Sequence, residues 1–186
     1  FKGITGTNPI SVALWFKSTY NNATAQQSIV SWGTNTGSLR YTLCFDGAMV
    51  RLDNGGGAAK TTSKYADGLW HHLVAVKPNN GNIAAVQFYL DGSLAGRDTG
   101  SSQLAFNIAD TANFSIGADN TNNRINFIGT LDDFRLYNKE LNASAISAIY
   151  ANGVGEGYYS PTLPVITVDH FAIASPVPVS VTFKRG

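Results

Sequence analysis

The chain has 186 residues, of which 44% are hydrophobic and 13% charged, and it carries a net charge of +1. That charge gives no electrostatic argument for binding nucleic acid or an anionic membrane, and no apolar run approaches the roughly 18 residues of a membrane-spanning helix. The single cysteine, Cys44, excludes an internal disulfide and a cysteine-based zinc site. The length suits one β domain. Because the sequence begins with Phe1 and not with Met, we expect a processed product or a fragment.

Alternation of apolar and polar residues predicts a series of short strands separated by turns. The predicted strands are Ile10–Lys17, Ser28–Gly33, Leu39–Asp46, Ala48–Leu52, Lys60–Lys64, Trp70–Lys77, Ala85–Asp91, Ser93–Arg97, Asn113–Ala118 and Ile128–Asn138. Asn142 is predicted to cap a short helix near residues 142–152 that stops at Gly153. These elements favour an all-β fold, a two-sheet antiparallel β-sandwich with one short helix.

Four segments resemble the laminin-G-like and pentraxin-like group of concanavalin A-like jelly rolls. The first is a strand that begins Trp70-His71-His72, followed by a hydrophobic strand that ends in Asp91-Gly92. The other three segments are Ile10–Lys17, Phe114–Gly117 and Phe127–Leu141. They occur in the order found in that group and cover roughly residues 10 to 153. The resemblance implies a jelly-roll fold and says less about function.

Residues 1–153 are predicted to form the jelly-roll domain, and residues 154–186 a linker with a C-terminal β tail. In the tail, Val177–Lys184 alternates strictly between apolar and mostly polar residues, and Pro178 suits an edge strand because proline cannot donate a backbone hydrogen bond. Members of the laminin-G-like and pentraxin-like group usually carry one more strand before the position that corresponds to Phe1. The tail is therefore predicted to fill a sheet edge in its own subunit or in a neighbour, with a separate downstream module as the alternative.

Hydrolysis of a glycosidic bond needs two carboxylates that face each other across that bond. Glucanases of the resembled fold share a strand motif of the type Glu-x-Asp-x-x-Glu, whereas this chain contains only Glu140 and Glu156, neither in such a pattern. His71 and His72 are adjacent on a strand, so one faces inward and one outward, and the resemblance implies that the Trp-His-His start is structural. The chain is therefore predicted not to be an enzyme.

Two loops contain the oxygen ligands that calcium prefers in proteins. Asp119, Asn120 and Asn122 lie in one loop, and Asp53 and Asn54 lie in the other. Related laminin-G-like and pentraxin-like domains bind calcium in rim loops, so the resemblance makes calcium a candidate cofactor with no assigned ligand set. The alternative is a turn that is stabilised by its own Asn and Asp side chains.

Binding of a sugar requires an aromatic face together with planar hydrogen-bonding side chains. Trp32 is followed by Asn35 at a predicted strand end, and Arg124 is a further polar candidate. Trp32 as a ligand platform and Trp32 as a core residue are both compatible with this pattern. The full set of predicted ligand-binding residues is Trp32, Asn35, Asp53, Asn54, Asp119, Asn120, Asn122 and Arg124.

These observations predict a non-catalytic, lectin-like module that binds carbohydrate in an extracellular or surface-exposed setting. Its expected partner is a glycan or a cell-surface protein. The alternative is a structural or adhesive subunit of a surface filament or virion that self-associates by adding a strand to a sheet edge.

Overall fold

The computed structural model describes residues 1–22, 24–100, 104–111, 114–119, 124–155, 166–168 and 183–185. Its strands are β1 (Ile10–Lys17), β2 (Gln27–Gly33), β3 (Arg40–Asp46), β4 (Met49–Asp53), β5 (Ala58–Thr61), β6 (Trp70–Lys77), β7 (Gln87–Leu90), β8 (Ser93–Leu94), β9 (Arg97–Asp98), β10 (Ser115–Ile116), β11 (Ile125–Asn126), β12 (Thr130–Tyr137), β13 (Ile166–Val168) and β14 (Phe183–Arg185). A 3-10 turn spans Ile83–Ala85, and the α-helix α1 spans Ala143–Gly155. Among these residues, no helix combines the length and the apolar character that crossing a membrane requires.

Strands β1 to β12 form two sheets that pack face to face. The first sheet has the order β12-β1-β6-β7-β8, and the second has the order β10-β2-β3-β4-β5-β9, with β11 also paired to β2. One apolar cluster fills the space between the sheets, and Phe16, Trp32, Phe45 and Phe88 are fully buried in it. The predicted two-sheet β-sandwich is confirmed.

Strand β1 lies between β12 and β6 and is buried on both faces. Val12, Leu14 and Phe16 point into the core between the sheets. Ala13 joins a second apolar cluster on the opposite face, where Ile146 of α1 is fully buried. The helix therefore covers the face that alternation in a strand usually leaves to solvent.

Helix α1 begins at the predicted cap. Asn142 Oδ1 accepts a hydrogen bond from the N–H of Ala145 at 2.9 Å. The helix continues to Gly155, past the predicted stop at Gly153. Gly153 lies against the indole of Trp15, where a Cβ atom would clash, so close approach of the helix to the sheet is the reason for a glycine at this position.

Several strand boundaries differ from the prediction. β5 ends at Thr61, before the predicted Lys64, because its pairing with β4 runs from Ala58 to Lys60 and its pairing with β9 ends at Thr61. β12 begins at Thr130, where it pairs with the last residue of β1. The two-residue strand β11 was not predicted, since so short a segment carries no pattern.

The adjacent histidines of β6 lie on opposite faces of the first sheet, as predicted. The ring of His72 is buried beside α1, with its centroid 5.1 Å from that of Trp15. On the other face, His71 Nδ1 lies 2.7 Å from the carboxylate of Asp91, and Nε2 lies 3.1 Å from that of Asp67. Burial lowers the pKa of His71, but the hydrogen bonds and charges of these two carboxylates outweigh burial and raise it above its ordinary value.

His72 is expected to destabilise the folded protein in acid. Burial lowers the pKa of His72 from 6.5 to about 4, against the opposing carboxylate charges of Asp133 and Asp91. Between these pKa values the unfolded chain binds a proton that the folded chain does not. The free energy of unfolding therefore falls as the pH is lowered, by about 3 kcal/mol at about pH 4. His71 acts in the opposite direction, because its raised pKa stabilises the fold at low pH and this contribution is lost as the pH rises through that pKa.

Urea unfolding of the wild-type and His72→Gln proteins measures this contribution. The variant is expected to lose about 2 kcal/mol less stability than the wild type when the pH is lowered from about 7 to about 4.5. The contributions of His71 and of the carboxylates are common to both proteins and cancel in the comparison. Equal losses in the two proteins would contradict the prediction.

Strands β13 and β14 pair with each other in an antiparallel ladder, with Thr167 opposite Lys184. The predicted edge strand Val177–Lys184 lies mostly outside the described residues, which include only its last two positions. Completion of a sheet edge by the tail, exchange with a neighbour and self-association therefore stay predictions.

Candidate functional site

The second sheet carries a polar surface on the side that faces away from the core. Along β3, Tyr41, Leu43 and Phe45 join the core, so the residues between them point to the opposite side. Strand β4 follows the same alternation, and a bulge between Ser28 and Val30 turns two serines of β2 to this side as well. We call this surface the polar face. It is formed by Ser28, Ser31, Arg40, Thr42, Cys44, Arg51 and Asp53.

Asp53 is the centre of an ion-pair network on the polar face. Its Oδ1 accepts hydrogen bonds from Arg40 Nε at 2.9 Å, from Arg40 Nη2 at 2.6 Å and from the N–H of Gly55 at 2.7 Å. Its Oδ2 accepts from Arg51 at 2.8 Å and from Arg124 at 3.2 Å. Burial raises the pKa of Asp53, but the hydrogen bonds and charges of the arginines outweigh burial and hold it below its ordinary value.

Arg124 reaches across the polar face from a separate segment of the chain. Its guanidinium donates to Gln26 Oε1 at 2.7 Å, to Asp119 Oδ2 at 2.7 Å and to Asp53 Oδ2 at 3.2 Å. Gln26 directly precedes β2 and Asp53 ends β4, so the guanidinium spans the strand between them, β3, near Cys44. Burial raises the pKa of the Cys44 thiol to about 12, and Arg124 is the strongest charge that opposes this rise.

Three buried polar groups of the polar face have no hydrogen-bond partner within the described part of the chain. They are Ser28 Oγ, Thr42 Oγ1 and Arg51 Nε. Ser28 and Arg51 lie opposite Cys44 on the two neighbouring strands, and Thr42 precedes Cys44 on the same face of β3. Because neighbouring strands are roughly 4.8 Å apart, the three groups surround Cys44 in a patch about 10 Å across. Buried polar groups in folded proteins are nearly always hydrogen-bonded, so these three groups require partners from ordered water or from a polar ligand.

Four of the predicted ligand-binding residues meet in this network. Asp53, Asp119 and Arg124 are joined by the ion pairs described above. Asn35 Oδ1 accepts a hydrogen bond from the guanidinium of Arg40, which connects it to the same network. Residues that are far apart in the sequence are thus gathered on the polar face.

Of the remaining predicted polar residues, Asn54 does not join this network through its side chain. Asn54 is buried and organises a turn, since its Oδ1 accepts from the N–H groups of Gly56 and Gly57 and its Nδ2 donates to the carbonyl of Leu104. This matches the turn alternative that the sequence left open. Asn120 and Asn122 lie outside the described residues.

Trp32 lies in the core and not on the surface. Its ring stacks on Tyr41 with centroids 4.2 Å apart and contacts Phe114 at 5.3 Å, while Nε1 donates to the carbonyl of Ile4 at 2.8 Å. The residue is fully buried, so this structure offers no aromatic face of Trp32 to a sugar. The physical reason is that the side chains of Val30 and Trp32 lie on the same side of β2, the side that faces the core.

Arg40, Arg51 and Gln26 belong to the network but were not predicted. The sequence did contain a signal for the two arginines, because alternation along β3 and β4 places them on the face opposite to the core residues. Gln26 carried no such signal, since it lies outside the strand pattern.

The described residues contain no group of three or more His, Cys, Asp or Glu side chains arranged to hold a metal ion. Asp53 and Asp119 belong to the two loops that the sequence offered as sources of oxygen ligands for calcium, and their carboxylates are each paired with a guanidinium. A calcium ion at either carboxylate would have to compete with an arginine, and calcium binding stays a prediction.

Comparison with solved structures shows the same fold in several binding domains. Domain 4 of an extracellular arabinanase from Geobacillus stearothermophilus, in complex with arabinotriose, is 22% identical with a TM-score of 0.56, over 79% of this chain and 68% of that one. The botulinum neurotoxin serotype G binding domain is 16% identical with a TM-score of 0.53, over 80% and 37% of the two chains. The binding domain of Paraclostridial Mosquitocidal Protein 1 is 12% identical with a TM-score of 0.56, over 80% and 38%. The chain thus spans somewhat less than two fifths of these two toxin chains.

A search of curated proteins gives no significant match. A laminin G-type family model, described as the concanavalin A-like lectin/glucanases superfamily, matches residues 2–147. This range covers both sheets and the first turn of α1, and it confirms the resemblance that the strand motifs suggested. The chain therefore belongs to the laminin G-type branch of the concanavalin A-like lectin/glucanase superfamily.

Proposed function

We propose that this chain is a non-catalytic module that binds a carbohydrate on the polar face of its second sheet, in an extracellular or surface-exposed setting. The observation that carries the proposal is the patch around Cys44, where buried Ser28, Thr42 and Arg51 groups lack partners within the described residues. A sugar presents hydroxyl groups that both donate and accept hydrogen bonds. Such a ligand would provide hydrogen-bond partners for the hydroxyls of Ser28 and Thr42 and for the Nε–H of Arg51 at the same time.

The fold neighbours are compatible with this proposal. The arabinanase domain is described in complex with arabinotriose, and the toxin domains are described as binding domains. At their low identity to this chain they support the fold alone, so neither arabinotriose nor a toxin receptor is assigned to it. Arabinotriose is nevertheless a defined first probe.

A hydrolytic role for Asp53 is disfavoured by its surroundings. A general acid needs a raised pKa near the working pH, whereas the arginines hold the pKa of Asp53 below its ordinary value. Asp119, the other carboxylate of the network, is paired with Arg124 at 2.7 Å. Both groups are therefore arranged to hold arginines in place, which supports binding without catalysis.

Glycan binding and its location are tested together. A glycan array with and without added calcium identifies ligands and tests the predicted cofactor, and isothermal titration then compares variants on the best hit and on arabinotriose. Arg51→Met is expected to weaken binding at least about 10-fold, because it removes a charged hydrogen-bond donor from the patch.

Arg135→Met is the matched control for Arg51→Met. Arg51 pairs with Asp53 and its side chain is 24% exposed, while Arg135 pairs with Asp133 and is 36% exposed, on a strand of the other sheet. The control variant is expected to bind like the wild type. Absence of any glycan hit would contradict the proposed function, and equal binding by both variants would contradict the proposed location.

A further inference from the structure

We propose that the Arg124 side chain is a displaceable cover over the polar face, and that its displacement exposes Ser28, Thr42 and Arg51 Nε as direct contacts for glycan hydroxyls. This inference rests on the proposed function, because it names the contacts of the same site and how a ligand reaches them. The structure shows why a cover is needed. Ser28, Thr42 and Cys44 are all fully buried, so a ligand reaches them only after something above them moves.

The position of Arg124 fits the role of a cover. Its guanidinium is held at Gln26 on one side of β3 and at Asp53 on the other side, which places it across the strand that carries Thr42 and Cys44. Among the charges that lower the pKa of the Cys44 thiol, that of Arg124 has the largest effect, which is consistent with this position.

Asp53 has enough hydrogen-bond partners to stay paired when Arg124 moves away. When Arg124 departs, Asp53 keeps its hydrogen bonds from Arg40, from Arg51 and from the N–H of Gly55. The contact with Arg124, at 3.2 Å, is the longest of those that Asp53 makes. Removal of a sole partner would leave a buried charge uncompensated, which is strongly unfavourable, but this carboxylate has several partners. Displacement therefore leaves Asp53 paired, and its main cost is the 2.7 Å contact between Arg124 and the buried carboxylate of Asp119.

The chemistry of the exposed patch selects a ligand that binds through its hydroxyl edges. Ser28 and Thr42 hydroxyls can donate or accept, while Arg51 Nε only donates. The aromatic residues of the central strands, Trp32 and Tyr41, point into the core, so the described polar face provides no stacking platform. The expected ligand is a sugar with neighbouring free hydroxyl groups.

Cys44 provides a readout of the cover that needs no ligand. It is the single cysteine of the chain, it is buried, and it lies on the strand that the Arg124 guanidinium spans, so labelling by a small thiol reagent reports opening at this position. We expect the Arg124→Ala protein to be labelled on the order of 100-fold faster than the wild type, because three charged hydrogen bonds no longer hold the cover closed. Arg135→Ala, on the other sheet, is expected to be labelled at the wild-type rate.

Labelling at low urea concentrations separates local opening from global unfolding. Opening of the cover exposes little surface, so labelling through this opening should have a rate that is nearly independent of urea concentration. Labelling through global unfolding should instead become steeply faster as urea is added. If Arg124→Ala does not fold, the double variant Arg124→Ala/Asp119→Asn is used in its place. The second substitution removes the carboxylate charge that the loss of Arg124 leaves at Asp119. Labelling of either folded variant at the wild-type rate would overturn the proposal, as would labelling that follows global unfolding.

Thr42→Val tests the contact beneath the cover. Removal of a buried hydroxyl that has no partner is expected to leave the melting temperature of the free protein unchanged or higher. The same change should weaken binding of the best array glycan about 10-fold. A lower melting temperature together with unchanged glycan binding would overturn the assignment of Thr42. If no glycan binds at all, the proposed function fails, while the Cys44 rates still decide whether Arg124 is a cover.

Discussion

Replacement of Trp32 by alanine is expected to lower the free energy of unfolding by about 3–5 kcal/mol, the range typical of a buried tryptophan or phenylalanine. The ring is fully buried and stacks on Tyr41 at 4.2 Å, and its loss would leave a cavity in the centre of the core. The carbonyl of Ile4 would also lose the indole N–H that it accepts at 2.8 Å. Urea denaturation of wild-type and variant proteins measures the difference.

Trp32→Phe and Trp70→Ala serve as controls for this variant. Trp32→Phe keeps an aromatic ring against Tyr41, so it should retain part of the stability that Trp32→Ala loses. Trp70 is only partly buried, at the start of β6, and its replacement should cost less than that of Trp32. A loss below about 1 kcal/mol for Trp32→Ala would contradict the core position and would restore the surface-platform interpretation.

Replacement of Asp53 by alanine is expected to cost about 3–5 kcal/mol, because it leaves buried positive charges without their carboxylate. Asp53 is 6% exposed and accepts hydrogen bonds from three different arginines. Removal of the carboxylate therefore affects the whole network and not one pair. The measurement is urea or thermal unfolding at neutral pH.

Asp46→Ala is the matched control for Asp53→Ala. Asp46 lies at the end of β3 and pairs with Arg51 at 3.4 Å and with Lys60 at 3.9 Å, but its side chain is 20% exposed. Partly solvated ion pairs contribute about 0–1 kcal/mol, so Asp46→Ala should be nearly neutral. Similar losses for the two variants would show that Asp53 is not the centre of the network.

Local sequence patterns predicted most of the fold. Alternation in Ile10–Lys17 and Trp70–Lys77 located two central strands of the first sheet, and Asn142 located the start of the helix. These features depend on residues that are close in sequence, which is why periodicity and capping rules could find them. The covering of β1 by α1 could not be found in this way, since it depends on where the helix packs.

The candidate site was only partly predictable, because its contacts join distant segments. Asp53 and Arg124 were each selected for their chemistry, but their ion pair joins residues 71 positions apart and depends on the topology of the second sheet. Trp32 was named as a candidate ligand platform, with a core position left open, and the structure places it in the core beside Val30, an apolar residue two positions earlier. The bulge in β2 disrupted the alternation that would otherwise have separated the serines from the core residues.

The position of β1 between β12 and β6 has a consequence for the synthesis of this protein. The hydroxyl of Ser11 in β1 is hydrogen-bonded to the backbone N–H of Leu141, 130 residues later, just after β12. Ribosomes add roughly 5–20 residues per second, so β1 is made several seconds or more before the segment that closes its free edge. During that interval the edge presents unpaired N–H and C=O groups beside an apolar surface, and such an edge is a template for pairing with another chain. Late closure of this edge is therefore expected to expose nascent chains to aggregation, and domains of this topology fold slowly because their closing contacts are so far apart in sequence.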